Sequence, residues 1–354
     1  MLVRQFLAAT VVLGGVMIGQ PATASAQTLV PCNAAALQTA VIAANNAGGG
    51  TLDLTPACTY TLTTPDNGEN GLAAITTPIR INGNNATITR SSATNFRFFQ
   101  VGGSGNLTLN TLTLRNGRAS NGGAIFVGSA GGLTLFASTV TGNSATSVGG
   151  GGIINMGTLE VNNSTLSNNT GGQGGGLNSQ PSSTTTFNGS VVTGNHSAAG
   201  GVAPAGGGIA ILGAVILNST RVGGNDATGS GAFGGGVANA GTLTVTSGPI
   251  LENAVSGDNA RGGGLWNGGT MNVTDSSFLR NTATGTNSRG GAIHNASGTS
   301  TLQRIAVASN RAAGSDASGG GIFREAGTVT LTGSSVAGNQ PNNCGAPSTV
   351  PGCS

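Results

Sequence analysis

The sequence contains no lysine, and charged residues account for only 6% of its 354 residues. All 13 basic residues are therefore arginines, and they occur singly along the chain. Binding to a nucleic-acid backbone requires clustered positive charge, often interleaved with aromatic side chains. Neither pattern is present, so we expect no nucleic-acid partner. Aromatic residues are also scarce, at 3%, which argues against one wide globular core filled by large side chains.

Glycine is abundant instead, with 65 residues, and apolar residues make up 37% of the chain. The glycines follow no strict G-X-Y period, which excludes a collagen triple helix. The apolar content and the net charge of only +3 do not fit a disordered chain, which carries high net charge and few apolar groups. A thin core that is repeated many times along an elongated molecule fits this composition better.

The N-terminus has the three parts of an export signal. Arg4 supplies positive charge, residues 6–18 are apolar, and residues 24–26 form an A-x-A cleavage motif. The apolar stretch is too short to span a bilayer comfortably, and the alternative is a buried helix. We predict a signal peptide over residues 1–26 and a mature chain over residues 27–354 without a transmembrane anchor. The predicted location is secreted, extracellular or at the cell surface.

Four cysteines follow the predicted signal peptide, at Cys32, Cys58, Cys344 and Cys353. An exported chain meets an oxidising compartment, where disulfides are the default state. Three connectivities are possible, and pairing by proximity gives Cys32–Cys58 and Cys344–Cys353. A metal site is the weaker alternative because no histidine lies near either pair. We expect no metal and no cofactor.

An internal repeat occupies most of the remaining chain. A glycine run followed by an aliphatic anchor residue recurs every 24 to 32 residues. The anchors are Ile125, Ile153, Leu177, Ile209, Val237, Leu265, Ile293 and Ile322. An asparagine follows each anchor as a second landmark, at Asn143, Asn169, Asn195, Asn225, Asn253, Asn281, Asn310 and Asn339. Two landmarks that recur together indicate a repeat architecture.

Apolar residues hold fixed positions relative to each of these asparagines. The residues three and eight positions before it are apolar in all eight units, and the residue ten positions before it is apolar in six. The spacing of two between the last two positions is typical of a strand. The stretch from each asparagine to the next anchor varies between 8 and 14 residues, so we predict a loop there.

These patterns predict an all-β fold, a single-stranded parallel β-helix or β-solenoid. Each coil would contain an anchor strand, a "TLTV"-like strand and an "SxVxxN" strand. Stacked coils bury the apolar edge and place equivalent residues about 4.8 Å apart. The asparagine amides can then hydrogen-bond from coil to coil, and asparagine tolerates a left-handed backbone. Right-handed coiling is the strong expectation for parallel crossovers.

We predict a single domain with distinct ends. Residues 33–47 indicate a short N-terminal capping helix that Asn33 begins. Residues 50–118 form irregular coils, residues 119–340 form eight regular coils, and residues 341–354 form a C-terminal disulfide loop.

The repeat resembles a known family. Gly-Gly-Ala-Ile at residues 122–125 and 290–293, with Phe-Leu-Arg-Asn at residues 278–281, is similar to the GGAI and FxxN repeats of polymorphic outer membrane proteins. The chain also resembles secreted bacterial right-handed parallel β-helix proteins that carry such repeats. The similarity covers roughly residues 29 to 343. It implies a β-helix fold and, for surface members of the family, adhesion.

No catalytic constellation emerges from the sequence. The ten acidic residues are dispersed, whereas a glycosidase needs two close carboxylates and a calcium-assisted lyase needs several convergent acids. In ladder register Asp275 matches Arg304 and Glu252 matches Arg280, which predicts surface ion pairs between coils. His196 follows a ladder asparagine, and we expect it in a solvated loop.

The position after each anchor is a candidate binding strip. If the anchors point inward, the next residue points outward, and Trp266, His294 and Phe323 stack over three adjacent coils. Arg261 and Arg289 lie four residues before their anchors in two of these coils. Aromatic rings pack on pyranose faces, and arginine binds carboxylates bidentately. We predict a sugar-binding surface here. The alternatives are a cross-strand aromatic ladder and a strip covered by loops.

A threonine array on the "TLTV"-like strands is a second surface feature. Threonine is a preferred residue on exposed strand faces, although a flat threonine face also resembles the ice-contacting faces of β-solenoid antifreeze proteins. Glu160, Ile216 and Asn272 interrupt the array.

The leading functional hypothesis is an exported, non-catalytic protein that binds a polysaccharide, a cell-surface glycan or another partner along its long faces. The first alternative is a polysaccharide lyase or glycoside hydrolase of the pectin-degrading β-helix type, with Arg261, Arg289 and His294 as candidate residues. The second alternative is a purely structural or adhesive solenoid, or an ice-binding threonine face.

Overall fold

The computed structural model describes residues 27–198, 203–345 and 350–353. Within these ranges the chain forms one helix and four parallel sheets, which wind as a β-solenoid. The predicted all-β fold with an N-terminal helix is therefore confirmed. The predicted signal peptide, residues 1–26, lies outside the described residues.

The helix covers the N-terminal end of the solenoid. It spans Ala34–Asn46, and the Oδ1 of its N-cap residue, Asn33, accepts a hydrogen bond from the N–H of Ala36 at 2.8 Å. Such a cap satisfies a backbone donor that would otherwise lack a partner. Leu37 and Val41 are fully buried and belong to the main core. The helix therefore closes the apolar end of the first coil.

Four sheets run along the described part of the solenoid, and each regular coil contributes one strand to each sheet. The strands of sheet 1, which include the "TLTV"-like strands, are Gln27–Val30, Gly50–Leu54, Pro78–Asn82, Asn106–Asn110, Gly132–Phe136, Thr158–Asn162, Thr184–Asn188, Ala214–Asn218, Thr242–Thr246, Thr270–Thr274, Thr299–Gln303 and Thr328–Thr332. The strands of sheet 2, which precede the landmark asparagines, are Thr59–Leu62, Thr87–Arg90, Thr113–Arg115, Thr139–Thr141, Thr165–Ser167, Val191–Thr193, Arg221–Gly223, Ile250–Leu251, Ser277–Leu279, Ala306–Ala308 and Ser335–Ala337. The short strands of sheet 3 are Arg118–Ala119, Ser144–Ala145, Thr170–Gly171, His196–Ala198, Asp226–Thr228, Ala254–Ser256, Thr282–Thr284 and Arg311–Ala313. The strands of sheet 4, which carry the anchors, are Phe99–Val101, Ile125–Val127, Ile153–Asn155, Leu177–Ser179, Ile209–Ile211, Val237–Asn239, Leu265–Asn267, Ile293–Asn295, Ile322–Arg324 and Cys344–Gly345.

The core is a narrow apolar column between sheets 1, 2 and 4. All eight anchors are fully buried. The apolar residues three and eight positions before each asparagine are also buried in every regular coil but the last, where Leu331 and Val336 are half-buried. The last coil is more exposed because no further regular coil stacks on it. Each apolar position is therefore buried by its equivalents in the neighbouring coils.

Sheet 3 corrects the predicted coil, since the segment after each asparagine is not all loop. Its first residues form a fourth short strand, and a small second core lies at this position in the later coils: Ala227, Ala232, Val255, Ala260 and Ala283. The asparagine side chains hold successive turns in register, so the residues that follow them can pair. The variable loop begins only after this strand.

The landmark asparagines form the predicted ladder. The Oδ1 of each asparagine after Asn143 accepts hydrogen bonds from the backbone N–H and the Nδ2 of the equivalent asparagine one coil earlier, at 2.8–3.1 Å. The ladder ends where Asn339 donates to the Oδ1 of Asn343. The left-handed backbone lies one residue earlier than predicted, at Gly142, Asn168, Gly194, Gly224, Glu252, Arg280, Ser309 and Gly338. That turn directs the following asparagine inward.

Two disulfides lie at the ends of the solenoid. Cys32 pairs with Cys58 beside the capping helix, and Cys344 pairs with Cys353 after the last regular coil. Both pairs are those predicted from proximity. Among the residues that the structure describes, no helix is long and apolar enough to cross a membrane.

Candidate functional site

The outward residues of sheet 4 form the floor of a groove that runs along the solenoid axis. The floor consists of Phe126, Ile154, Asn178, Ala210, Ala238, Trp266, His294 and Phe323. The first wall is a column of bridge-paired residues, each in the segment before a glycine run: Gln173, Ala205, Phe233, Arg261, Arg289 and Ser318. The second wall contains residues three positions after the anchors, including Gln180, Leu212, Ala240 and Glu325. We call this feature the sheet-4 groove.

Glycine places the first wall next to the floor. Gly262 and Gly290 have φ angles of 68° and 69°, in the left-handed region. A Cβ atom at Gly262 would overlap the backbone carbonyl of Leu265. Because glycine permits both the left-handed angle and this close approach, the chain reverses sharply, and Arg261 and Arg289 lie beside the floor residues.

The predicted outward stack of three rings is wrong in two respects. His294 and Phe323 are 0% and 1% exposed, because the walls cover them, whereas Trp266 stays partly exposed. The ring stack also divides into two pairs. His294 stacks on Phe323 with centroids 5.3 Å apart, and Trp266 contacts Phe233 of the first wall at 4.7 Å. The alternative that covering segments hide the strip therefore holds for two of the three rings.

The middle of the groove is an apolar recess beside the tryptophan. Its floor residues Ala210 and Ala238 are small, and the space above them measures about 100 Å³. Phe233 and Trp266 line one side of this space, and Leu212, which is 42% exposed, lines the other. The recess is therefore an open apolar surface bounded by two rings.

The C-terminal part of the groove is charged. The Oε2 of Glu325 lies 3.0 Å from the Nε2 of His294 and 3.2 Å from the Nη1 of Arg261, so the carboxylate crosses the floor to the opposite wall. The guanidinium of Arg289 lies over the ring of Phe323, 4.8 Å from its centroid. Arg261 and Arg289 are both partly exposed. The predicted arginines thus lie together with one acidic residue.

Burial determines the protonation state of His294. Burial lowers the pKa of its imidazole to about 4, while the Glu325 carboxylate opposes this shift and the two arginines reinforce it. The neutral ring donates through Nε2 because its partner is a carboxylate. Its Nδ1 is buried without a hydrogen-bond partner. Because Nδ1 is shielded from the groove, His294 is poorly placed to remove a proton from a ligand.

Three residues of the site were missed by the sequence analysis: Phe233, Asn287 and Glu325. Phe233 lies four residues before its anchor, at the same position as Arg261 and Arg289, so extending that column would have found it. Asn287 holds Arg289 through hydrogen bonds of 3.0 and 2.8 Å. No sequence pattern indicated a contact of Glu325 with Arg261, since the two residues lie 64 positions apart in the sequence.

The other polar predictions have mixed outcomes. The surface ion pairs Arg280–Glu252 and Arg304–Asp275 are confirmed, each with a distance of 2.7 Å. His196 does not lie in a solvated loop, because it belongs to a strand of sheet 3. Its Nδ1 lies 2.6 Å from a carboxylate oxygen of Asp226 in the adjacent coil. Across the described ranges no group of three or more histidines, cysteines or acids could hold a metal ion.

The threonine array forms an outward column pair on sheet 1, interrupted by Glu160, Ile216 and Asn272. These residues alternate with buried ones, because successive side chains of a strand point to opposite faces of the sheet.

Comparison with known proteins shows similarity at the level of structure. No protein-family model matches the sequence, and no curated protein matches it significantly. Two solved structures match the chain over 90% of its length, the A-modules of the mannuronan C-5 epimerases AlgE6 and AlgE4 of Azotobacter vinelandii. The chain shares its fold with these modules. The TM-score is 0.54 in both cases, with 13% and 14% sequence identity and coverage of 92% and 94% of the modules. At this identity the likeness establishes the parallel β-solenoid alone.

Proposed function

We propose that this protein is an exported, extracellular or cell-surface β-helix protein that binds polysaccharide in the sheet-4 groove without catalysing a reaction on it. The observation that carries the proposal is the apolar recess between Trp266, Phe233 and Leu212. Apolar faces of pyranose rings pack on aromatic side chains, and binding sites combine such surfaces with a few oriented polar groups. The charged residues beside the recess supply those polar groups.

The shape of the groove supports a linear polymer as the ligand. The floor extends from Phe126 to Phe323, through eight coils in parallel register. At about 4.8 Å per coil this length is about 34 Å. Successive sugar units of an extended chain would meet equivalent positions of successive coils. The names of the two structural neighbours, mannuronan epimerases, agree with a carbohydrate ligand.

A binding role without catalysis fits the groove chemistry. Glycosidases use two carboxylates on either side of the scissile bond, whereas Glu325 is already paired with Arg261 and His294. Lyase chemistry needs a base that reaches the sugar, and the unpaired nitrogen of His294 is buried.

The disulfides near the two ends of the chain and the N-terminal sequence pattern support an extracellular location. Two disulfides are stable in an oxidising compartment outside the cytosol, and residues 1–26 have the pattern of an export signal. The repeats similar to those of polymorphic outer membrane proteins add adhesion to the proposal. Binding of a glycan by the groove would be the physical basis of that adhesion.

The test is a binding assay with purified residues 27–354 on a panel of immobilised neutral and acidic polysaccharides. We expect binding to at least one polymer and a loss of about tenfold or more with Trp266→Ala, since aromatic anchors dominate binding energy. Ile216→Ala is the matched control, because Ile216 is a large apolar residue 40% exposed on sheet 1. Binding that survives Trp266→Ala, with both variants folded by circular dichroism, would exclude the groove as the binding site.

The same samples test whether the protein cleaves the polymer. Reducing ends and unsaturated sugars would be assayed after long incubation of the protein with each polymer. We expect neither product. Product formation that is lost in Arg289→Ala would instead identify a polysaccharide-cleaving enzyme.

A further inference from the structure

We propose that the charged end of the sheet-4 groove is a carboxylate receptor centred on Arg289, and that the ligand is therefore a uronic-acid polysaccharide. This inference rests on the proposed function, since it names the class of ligand for the same groove. The receptor consists of Arg289, its supports Asn287 and Phe323, and the neighbouring Arg261–Glu325 pair.

Arg289 is held in place but not neutralised. Its Nε and Nη2 both donate to the Oδ1 of Asn287, at 3.0 and 2.8 Å, and its guanidinium carbon lies 4.8 Å from the ring centroid of Phe323. In the described ranges it makes no ion pair with an acid. A guanidinium that is hydrogen-bonded along one edge and packed against a ring loses little conformational entropy when it binds an anion.

The remaining edge of the guanidinium is complementary in shape to a carboxylate. Asn287 occupies the edge formed by Nε and Nη2, and Nη1 makes no hydrogen bond within the described residues. The free fork consists of one N–H on Nη1 and one on Nη2, which are parallel. A planar carboxylate accepts two such hydrogen bonds side by side, whereas a neutral sugar hydroxyl cannot match both the charge and the fork.

The charges of the groove favour an anion. Arg261 and Arg289 carry two positive charges, Glu325 carries one negative charge, and the low pKa of His294 leaves that ring neutral near pH 7. These three charged groups sum to +1. Glu325 shows that the groove already accommodates one carboxylate, held by Arg261 and by the Nε2–H of His294. A carboxylate of the ligand on Arg289 would complete the charge balance.

Spacing indicates a polymer rather than a single sugar. In both ring contacts a first-wall residue packs on the floor ring of the following coil: Phe233 on Trp266, and Arg289 on Phe323. The Arg289 guanidinium is thus two coils beyond the Trp266 platform, about 10 Å along the axis at the strand spacing of a sheet. The platform and the receptor would contact different sugar units of one chain.

The experiment compares two polymers with the same backbone, polygalacturonate and its fully methyl-esterified form, by titration calorimetry at fixed low salt. We expect wild type to prefer the acid form by about tenfold or more, as one charge-assisted bidentate contact allows. Arg289→Gln should remove this preference, because it weakens binding of the acid form more than binding of the ester. Arg289→Lys, which keeps the charge but loses the fork, should also lose most of it. Arg311→Gln, at an exposed arginine on sheet 3, is the matched control and should bind as wild type.

The outcomes separate this inference from the proposed function. Equal binding of the two polymers, or a preference that survives Arg289→Gln, would overturn the carboxylate receptor while leaving polysaccharide binding intact. Dextran sulfate bound as tightly as polygalacturonate, with the same dependence on Arg289, would also overturn it in favour of a general polyanion site. Failure to bind any polymer, neutral or acidic, would overturn the proposed function itself.

Discussion

Replacement of one buried ladder asparagine tests the physical basis of the fold. Asn253 is 0% exposed and makes four side-chain hydrogen bonds of 3.0 Å. Its Oδ1 accepts from the N–H and the Nδ2 of Asn225, and its Nδ2 donates to Asn281 and to the carbonyl of Val222. The variant Asn253→Ala leaves the Asn225 N–H buried without its acceptor, whereas the Val222 carbonyl keeps its place in the parallel pairing with the strand Ile250–Leu251. At about 1–3 kcal/mol for a buried unpaired group, the free energy of unfolding should fall by about 1–3 kcal/mol.

The matched control is Asn188→Ala. Asn188 belongs to a second asparagine ladder on sheet 1, where it bonds Asn162 and Asn218 at 2.8 and 2.9 Å, but it is exposed. Water can replace both bonds, so the expected cost is under about 1 kcal/mol.

The assay for both variants is urea denaturation followed by the emission of Trp266, the single tryptophan, which lies in the coil after Asn253. We expect the urea midpoint to fall much further for Asn253→Ala than for Asn188→Ala. Equal losses in the two variants would refute the argument that burial, rather than the ladder pattern, determines the stability contribution.

Three further predictions concern pH, backbone and cross-links. The pKa of His294 is lowered from 6.5 to about 4 in the folded protein, so the unfolded chain binds more protons between these values and stability falls as the pH drops from 6.5 to 4. The loss of stability should be at most about 3 kcal/mol. The measurement is the melting temperature as a function of pH, and the loss should be absent in His294→Phe. The same pH dependence in the wild type and in His294→Phe would contradict this prediction. Ala137 has a φ of 46°, in the left-handed region, so Ala137→Gly should stabilise the protein by up to about 1 kcal/mol. Ala306→Gly, within a strand, should destabilise it. A lower melting temperature for both variants would contradict the argument that Ala137 is strained. Removal of the Cys32–Cys58 disulfide, which joins residues 26 apart, should lower the free energy of unfolding by about 3–4 kcal/mol. Removal of Cys344–Cys353, which joins residues 9 apart, should lower it by about 2–3 kcal/mol, because it closes a shorter loop. Melting of the two double serine variants checks this order, and a reversed order would contradict it.

Contacts between equivalent positions of neighbouring coils could be predicted from the sequence. The anchors, the asparagine ladder and the Arg280–Glu252 pair all depend on register, because a parallel stack places equivalent residues next to each other. The capping helix could also be predicted, since Asn33 and the buried spacing of Leu37 and Val41 are local signals. The regular spacing of apolar residues, glycines and asparagines along the sequence therefore determines most of this fold.

The burial of the groove floor by its walls could not be predicted in the same way. His294 and Phe323 occupy the outward position of a strand, yet the walls bury them. Wall geometry depends on the left-handed glycines before seven of the eight anchors and on loops of variable length, neither of which the strand period describes. The contact between Glu325 and Arg261 also crosses the groove between different coils. Such contacts need the three-dimensional path of the chain.

The most direct measurement uses Trp266, because the single tryptophan of the chain lies in the groove. Purified residues 27–354 would be titrated with galacturonate oligomers while tryptophan emission is recorded. We expect a saturable change in emission, with a midpoint equal to the Kd from calorimetry, and weaker binding in Arg289→Gln. Unchanged emission while calorimetry shows saturated binding would place the ligand outside the sheet-4 groove and contradict the proposed binding site.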